Sequence, residues 1–477
     1  MTDVTVVGSG PNGLVAAVVM ARAGLSVRVL EAASTLGGGV RTAELTLPGF
    51  RHDVGSAVHP AALASPVFRR LGLLDRVDWI VPEASYAHPL DGGRAGIAWR
   101  DLERTVDGLG ADGQAWRRLV APLLVRERGV VAFTGSQLLR VPRDPLATLR
   151  FGLRALEQGV PGLWNNRFSG ETAEALFTGV VAHAAGRMPS LASAGAGLLL
   201  AMHGHGVGWG FPRGGSQAIA DALVAELRER GAEIVTDAAV ERLDEVRDSR
   251  AVLLDTTPEL LLREDLPAGY ARALRRYRYG SGVAKVDFAL SGPVPWANPE
   301  VAASATVHLG GSRAEIAAAE NAVHRGLQPG VDGAPRHPYV LVTQPSLFDP
   351  SRAPAGRHVL WAYTHVPAGS TFDATEIVTA EIERFAPGFR DLVLASATSS
   401  AADMAGRNAN LVGGDISAGA LTLAQLVKRP VMSPTPWRTP MPGVYLCSAA
   451  TPPGPAVHGM NGWWAARLAL RDRFGVR

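Results

Sequence analysis

A glycine-rich turn near the start of the chain constrains its fold more than any other feature. A short apolar run, Val4–Val7, leads into Gly8, Gly10 and Gly13, which have the spacing GxGxxG, and residues 11–23 are predicted to form the helix that follows. In such a turn the first glycine permits the tight bend, the second lets the backbone approach a pyrophosphate, and the third lets helix and strand pack closely. The pattern therefore predicts a dinucleotide-binding unit.

An acidic residue completes this unit. Residues 26–31 are predicted to form the second strand, and Glu31 stands at its end, eighteen positions after the last glycine. Its carboxylate can accept hydrogen bonds from a ribose diol, and its charge would repel a 2′-phosphate. The helix directs its N-terminal dipole and free N–H groups at the pyrophosphate. We expect Pro11, Asn12 and Ala32 to belong to the same binding site.

A second glycine cluster distinguishes between two kinds of dinucleotide. Gly37, Gly38 and Gly39 come soon after Glu31, and Arg41 follows them. An enzyme that uses NAD has no need for this cluster. The extended pyrophosphate of FAD runs along such a loop, where a guanidinium can neutralise it. The cluster favours FAD as the cofactor, with Gly38 and Arg41 among its binding residues.

Residues 8–42 resemble those of the flavin amine oxidase and phytoene desaturase superfamily, whose second cluster follows the pattern GGRxRT. Gly39 stands where many amine oxidases have their first arginine, which moves the resemblance towards the carotenoid-desaturase branch. The chain is also similar to bacterial phytoene-desaturase-like oxidoreductases named for a pyridine nucleotide-disulfide oxidoreductase domain. Cys447 is the one cysteine, so no redox dithiol can form, and no second dinucleotide fingerprint is evident. NAD(P)H is therefore not expected as a stoichiometric partner.

The resemblance implies an α/β fold. It has a Rossmann-like FAD-binding domain of the glutathione-reductase type, with amine oxidase and desaturase topology, and a discontinuous α+β substrate domain. We expect residues 1–62, 205–289 and 431–477 to form the FAD-binding domain. Residues 63–204 are expected to supply the helical part of the substrate domain, and residues 290–430 its sheet part. The predicted strand at residues 358–364 belongs to this second part.

The resemblance also implies that later segments return to the cofactor. Gly55 and Ser56 are expected beside the flavin ring. Ser216 is predicted to cap a helix, and residues 233–235 and 239–240 are predicted to be short strands. Val240 is expected to bring a backbone amide to the adenine.

The last segment that is expected to return to the cofactor lies near the end of the chain. There the resemblance places a strand, a loop and a helix beside the ribityl chain and the flavin pyrimidine. The cofactor-binding residues expected from it are Ala449, Ala450, Gly459, Met460 and Asn461. A helix N-terminus in this position would favour negative charge on the reduced flavin.

Lys285 is a candidate catalytic residue. Its segment resembles that of amine oxidases in which a lysine holds a water against flavin N5, and the resemblance implies the same role here. An ammonium in this place would favour electron-rich reduced flavin. Lys285 and Lys428 are the only lysines among 47 basic residues, so a lysine at the matched position is unexpected by chance. The alternative is a strand lysine that points at solvent.

His458 is the second catalytic candidate, because it directly precedes the last predicted helix. It could donate a hydrogen bond to reduced flavin or take a proton from the substrate. The alternative is a loop histidine that fixes the turn. Weaker candidates are His59, His203, His205, and, as pocket-lining aromatics, Trp209 and Tyr363. No metal site is predicted, and Cys447 is interpreted as a buried side chain.

Composition excludes some classes of function. The formal net charge is +3, and no basic run with interleaved aromatics occurs, so no nucleic-acid binding is expected. The first strand begins by residue 4, and no apolar run is long enough to cross a bilayer, so a cytoplasmic location is expected. Peripheral membrane contact through the apolar residues 119–133 stays open, and so does a homo-oligomer.

These observations predict an FAD-dependent oxidoreductase of the dehydrogenase or oxidase kind. We expect it to remove hydride from a carbon of an apolar or amphipathic small molecule, forming a C=C or C=N bond, with flavin N5 as hydride acceptor. Oxygen or a quinone-type acceptor would reoxidise the flavin. Two alternatives stay open: a redox-neutral isomerase that uses reduced FAD, and a flavin-bearing binding or assembly protein without catalysis.

Overall fold

The computed structural model describes residues 2–164 and 166–476. The strands of this part of the chain are β1 (Val4–Val7), β2 (Val27–Leu30), β3 (Thr42–Glu44), β4 (Arg51–Asp53), β5 (Trp79–Ile80), β6 (Ala84–Leu90), β7 (Arg94–Trp99), β8 (Phe211–Pro212), β9 (Glu233–Val235), β10 (Ala251–Leu254), β11 (Gly282–Leu290), β12 (Ser304–Leu309), β13 (Val340–Thr343), β14 (His358–Val366), β15 (Val393–Ser399) and β16 (Val444–Leu446).

The α-helices fall between these strands. They are α1 (Pro11–Arg22), α2 (Pro60–Leu63), α3 (Pro66–Leu71), α4 (Leu73–Arg76), α5 (Leu102–Gly108), α6 (Gly113–Leu124), α7 (Glu127–Thr134), α8 (Pro145–Gly159), α9 (Glu171–Val181), α10 (Leu191–His205), α11 (Gln217–Glu229), α12 (Ala268–Arg275), α13 (Arg313–His324), α14 (Thr375–Phe385), α15 (Phe389–Leu392), α16 (Ala401–Arg407), α17 (Leu423–Val427) and α18 (Met460–Ala469).

A five-stranded parallel sheet confirms the predicted Rossmann-like fold. Its order is β16-β10-β1-β2-β9, and every neighbouring pair is parallel. The central strand β1 is buried along its whole length, as expected for a parallel sheet covered on both faces. Helix α1 packs between α11 and α18. A Cβ at Gly462 would collide with the backbone of Asn12, so glycine is what lets α18 approach α1 this closely.

A seven-stranded mixed sheet forms the second layer. Its order is β15-β11-β14-β13-β12-β6-β7, and β12 and β6 form its parallel pair. Side chains alternate between its two faces. On β11, Ala284, Val286 and Phe288 join the core under α14, whereas Val283 and Lys285 face the other way. The predicted strand at residues 358–364 is confirmed within β14.

Strand β11 lies in a different sheet from the one that the predicted boundaries imply. The sequence assigns residues 205–289 to the FAD-binding domain, but β11 pairs with β14 and β15 of the seven-stranded sheet. This strand therefore belongs with the segment that follows it. The rest of the predicted division into domains stays a prediction.

The predicted strand at residues 239–240 is wrong. The chain leaves the five-stranded sheet after β9, because Asp237 adopts a left-handed conformation with φ of 53°. The amides of Asp237 and Ala238 then donate to the carbonyls of Ala33 and Glu31, at 3.2 and 2.9 Å, and the chain continues without regular pairing.

The predicted capping role of Ser216 is also wrong. Its hydroxyl donates to the Ser56 carbonyl at 2.8 Å and does not cap α11. Distant side chains cap the helix instead. The amide of Ser216 donates to Asp53 Oδ1 at 2.8 Å, and the amide of Gln217 donates to Thr42 Oγ1 at 3.1 Å.

Four apolar side chains of the stretch at residues 119–133 face the interior. Leu119, Val120, Leu123 and Val130 are buried in the core beside α9 and α10. These four side chains are therefore not available to a bilayer, whereas Val125 of the same stretch is 81% exposed. Peripheral membrane contact stays a prediction. Within residues 2–164 and 166–476, no helix combines the length and the apolar character needed to traverse a membrane.

Candidate cofactor and substrate site

One cavity of about 940 Å³ connects the two sheets. At one end it is lined by residues that follow β1, β2 and β10, where the carboxyl ends of parallel strands meet. At the other end it is lined by one face of the seven-stranded sheet and by α10. The carboxyl edge of such a sheet is where this class of fold binds its ligands, so the first end is the candidate nucleotide site.

The glycine turn has no room for side chains. Gly8 has φ of 95°, which favours glycine. A Cβ at Gly10 would lie 2.5 Å from Asp255 Oδ2, and a Cβ at Gly38 would lie 2.9 Å from the Cα of Gly10. The two glycine clusters therefore touch and leave bare backbone facing the cavity. This is the surface that an extended pyrophosphate needs.

Asp255 lies beneath this turn and was not predicted as a site residue from the sequence. Its Oδ2 accepts a hydrogen bond of 2.9 Å from the Gly13 amide. Burial raises the pKa of Asp255 to about 7, and the nearby charge of Glu31 adds to the effect. Its place directly after β10, at the same sheet edge as the glycine turn, is a signal that could have identified it.

Glu31 and Arg41 are held in fixed orientations at the nucleotide end. Glu31 Oε2 accepts from the amide and hydroxyl of Ser9, at 2.8 and 2.6 Å. The Arg41 guanidinium donates to the carbonyls of Gly38 and Arg407, at 3.0 and 2.7 Å. Arg41 thus connects the second glycine cluster to the end of α16.

Most of the predicted site residues line the cavity. They are Gly8, Gly10, Pro11, Asn12, Glu31, Ala32, Gly38, Arg41, Gly55, Ser56, Val240, Lys285, Ala449, His458 and Met460. Four predicted residues lie behind the cavity wall, namely Gly13, Ala450, Gly459 and Asn461. Asn461 Nδ2 donates to the carbonyls of Thr451 and Gly454, at 2.7 and 3.3 Å, and so ties the loop before α18 together.

Lys285 is buried and paired with an acid. Its Nζ donates to Asp287 Oδ2, two residues along the same face of β11. Burial lowers the pKa of Lys285 and raises the pKa of Asp287, while each charge opposes that effect on the other. His52 Nδ1 lies 3.4 Å from the second oxygen of Asp287. The alternative of a solvent-facing lysine is wrong.

His458 presents a hydrogen-bond donor to the cavity. Its Nδ1 accepts from the Met460 amide at 3.1 Å, so the neutral ring carries its proton on Nε2. Burial lowers the pKa of His458 to about 4 and keeps the ring neutral. Its carbonyl accepts from the Ser65 hydroxyl at 2.7 Å. The ring is therefore built to donate a hydrogen bond, and proton uptake would need a change of tautomer or of charge.

The substrate end is mostly apolar. Its lining comprises Val283, Leu341, Trp361 and Tyr363 from the sheet, Ala196, Leu199 and Leu200 from α10, and Val131, His183, Trp209, Thr306 and Thr343. Trp209 and Tyr363 are among these, as the sequence suggested. His183 was not predicted. Its Nε2 lies 2.7 Å from His308 Nε2, and burial lowers the pKa of His183 to about 3.

Carboxylates that line the cavity are confined to its nucleotide end among the described residues. They are Glu31, Glu241, Asp255 and Glu259. Near the sheet face the charged lining residues are Lys285 and Arg407. Of the weaker candidates, His205 accepts from Trp116 Nε1 at 2.9 Å in the core, and Cys447 is buried outside the lining.

The chain is similar to known proteins over almost its whole length. The sequence model of the family described as flavin containing amine oxidoreductase matches residues 12–460. Pyridine nucleotide-disulfide oxidoreductase domain-containing protein 2 of Mus musculus is 28% identical, over 98% of this chain and 93% of that protein. An uncharacterised protein of Mycobacterium tuberculosis is 27% identical over 98% of this chain and 97% of its own length.

Solved structures share the fold at lower identity. Wild-type putrescine oxidase bound to putrescine superposes with a TM-score of 0.57 at 18% identity, over 99% of this chain and 98% of that one. Reduced UDP-galactopyranose mutase superposes with a TM-score of 0.54 at 14% identity, over 99% of this chain and 95% of that one.

Proposed function

We propose, from the premise that this chain belongs to the flavin containing amine oxidoreductase family, that it oxidises an apolar or amphipathic small molecule at a carbon atom. The chain is an FAD-dependent oxidoreductase. When bound, FAD supplies flavin N5 as the hydride acceptor. The observation that carries the proposal is the single cavity that joins the glycine turns to an apolar sheet face.

The nucleotide end has the chemistry that FAD needs. The bare backbone of Gly10 and Gly38, the N-terminus of α1 and the guanidinium of Arg41 would hold the pyrophosphate. Glu31 would hold the ribose through its carboxylate. Val240 also lines this end, and we propose it as the adenine contact.

The middle of the cavity would hold the flavin ring. We propose that His458 donates from Nε2 to the ring and that the N-terminus of α18 favours negative charge there. Lys285 would orient a water or the substrate by hydrogen bonding. Its charge is balanced by Asp287, so positioning is its proposed role in place of charge stabilisation.

The substrate end favours ligands without a positive charge. Its walls are aliphatic and aromatic, which excludes water and binds apolar carbon. A protonated amine would be buried near Lys285 and Arg407, and no carboxylate lines that end of the cavity among the described residues. An unpaired buried charge is costly. We therefore propose a neutral or anionic substrate, with oxygen or a quinone-type molecule as the final acceptor.

Anaerobic mixing of the FAD-loaded protein with a matched panel tests this proposal. The panel comprises one alkyl skeleton as an amine, an alcohol and a carboxylate, together with a polyene, and the readout is bleaching of the flavin absorbance. We expect bleaching by the polyene, the alcohol or the carboxylate, and none by the amine. Bleaching by the amine alone would contradict the charge argument. Failure of every class would contradict the oxidation and leave the isomerase, which would act only after chemical reduction and without an acceptor.

A further inference from the structure

Exposed apolar side chains are concentrated in one short part of the chain. Among the residues that the structure describes, fourteen large apolar side chains are exposed, and eight of them lie within residues 125–163. Scattered exposed apolar residues are normal, whereas a contiguous patch marks an interaction site. The concentration in one segment therefore needs an explanation.

The helix α8 supplies the centre of this patch. Leu146, Leu149, Leu153 and Leu156 follow one another at intervals of three, four and three residues, so they share one side of the helix. Their exposed fractions are 41%, 58%, 55% and 45%. We call these four side chains the α8 leucine face. The opposite side of α8 is buried against α10 through Ala147 and Phe151, so the leucines are not needed for packing the helix.

The neighbouring loops enlarge the apolar surface. Leu139 and Val141 precede α8, and Leu163 follows it. All three are exposed, Val141 at 91%. A helix that binds in a membrane interface presents an apolar face with basic residues beside it.

The charges around the α8 leucine face favour an anionic partner. Arg140 and Arg143 are exposed in the preceding loop, and Arg150 lies on α8. Within the described residues neither Arg143 nor Arg150 forms an ion pair. The nearby acids are already paired: Asp144 binds Arg126 at 2.9 Å, and Glu157 binds Arg154 at 2.8 Å. The unbalanced charge at the rim is therefore positive.

We infer that the α8 leucine face docks this protein onto the surface of an anionic lipid bilayer. The leucines would insert between the headgroups and the acyl chains, and the arginines would bind lipid phosphates. A second copy of the chain fits less well, because a two-fold contact would set the same basic rim against itself. Helices α7 and α10, which pack on α8, carry Val131, Leu199 and Leu200 of the cavity lining. Docking would therefore leave a single layer of helices between the cavity and the lipid.

Vesicle flotation of the FAD-loaded protein tests the inference, and it requires no catalytic turnover. The vesicles are phosphatidylglycerol mixed with phosphatidylcholine, or phosphatidylcholine alone. We expect binding to the anionic vesicles at low salt. High salt should weaken this binding, because ions screen the attraction between the arginines and the lipid phosphates. Leu149→Ser with Leu153→Ser should lower the partition coefficient by about tenfold or more, since two leucine side chains would no longer be buried in the bilayer.

Matched variants separate docking from a general loss of apolar surface. Leu394 and Leu423 are exposed to a similar extent, at 46% and 49%, and lie outside the patch. Serine at both of these positions should leave vesicle binding unchanged. Arg143→Gln with Arg150→Gln should remove the preference for anionic vesicles. All variants should keep their flavin absorbance and melting temperature, because these side chains are on the surface.

Three results would overturn the inference. One is no flotation of the unaltered protein with anionic vesicles at low salt. Another is an equal loss of binding in the patch and control variants. The third is a dimer in sedimentation velocity that the serine pair at positions 149 and 153 converts to monomer without any vesicle binding, which would assign the face to self-association.

Discussion

Lys285 and Asp287 form a buried ion pair on the cavity side of β11. The lysine lines the cavity, and the acid lies behind it with His52 at its other oxygen. A buried pair carries no net charge, so the ammonium is not free to stabilise negative charge on a ligand. Such stabilisation is what the sequence leads one to expect when Lys285 is considered without Asp287.

Replacing Lys285 should destabilise the fold. Lys285→Met leaves Asp287 buried without its cation, and we expect the free energy of unfolding to fall by about 3–5 kcal/mol at neutral pH. The exposed Lys428 is the matched control, and Lys428→Met should change the free energy of unfolding by no more than about 0.5 kcal/mol. Urea titration of the FAD-loaded proteins measures both values.

The pH dependence of this variant has a definite sign. Burial raises the pKa of Asp287, and without the lysine the acid takes up a proton in the folded state. The loss of stability in Lys285→Met should therefore shrink as the pH is lowered, by about 1.4 kcal/mol per pH unit at most. A loss that does not change between pH 5 and pH 8 would argue against a buried unpaired carboxylate.

The glycine turn should tolerate no added methyl group. Gly10→Ala would place its Cβ 2.5 Å from Asp255 Oδ2, and we expect the affinity for FAD to fall by about a hundredfold, or about 2.7 kcal/mol. Gly269 lies on α12, outside the cavity lining, with open space around an added Cβ. Gly269→Ala should therefore bind FAD normally. Fluorescence titration of the apoprotein with FAD gives both affinities, and equal losses would contradict the proposed cradle.

Asp255 should make FAD binding depend on pH. Its pKa is about 7 because of burial, so the acid is neutral below that pH and negative above it. A negative charge beneath the pyrophosphate site weakens binding by repulsion. The affinity for FAD should fall several-fold between pH 6 and pH 8, and Asp255→Asn should abolish the change. Isothermal titration calorimetry in buffers of different ionisation enthalpy would also show proton uptake on binding.

Buried histidines should make the protein sensitive to acid. Burial lowers the pKa of each from the ordinary value of 6.5, to about 3 for His52 and His183 and to about 4 for His59, His88, His205 and His458. Below pH 6.5 the unfolded chain binds these protons and the folded chain does not. The free energy of unfolding should therefore fall as the pH drops from 6.5 towards 4, and any one histidine contributes at most about 1.4 kcal/mol per pH unit to this fall. Chemical denaturation across this range checks the slope, and a flat profile would contradict it.

Features determined by neighbouring residues were predictable from the sequence. The unit from β1 to β2 follows from local glycine and apolar spacing, and the structure has it within a residue or two. Ser216 was assigned wrongly because the groups that cap α11 come from Asp53 and Thr42, far away in the chain. The pairing of Lys285 with Asp287 had a local signal, since residues two apart on a strand share a face.

Long-range contacts account for what the sequence could not supply. The sheet that contains β11 depends on pairing between residues that are 68 or more positions apart in the chain. The contact of His183 with His308 joins segments 125 residues apart. The α8 leucine face also depends on long-range packing, because α10 determines which side of α8 is covered and which side is exposed.

The continuity of the cavity affects how the newly made protein matures. Because the nucleotide end and the apolar end form one space, FAD bound as proposed would also form a wall of the substrate compartment. A newly made chain that has not yet bound FAD would display its aromatic and aliphatic lining through the nucleotide end. Acquisition of the cofactor would then act as a maturation step that hides this lining from chaperones and proteases.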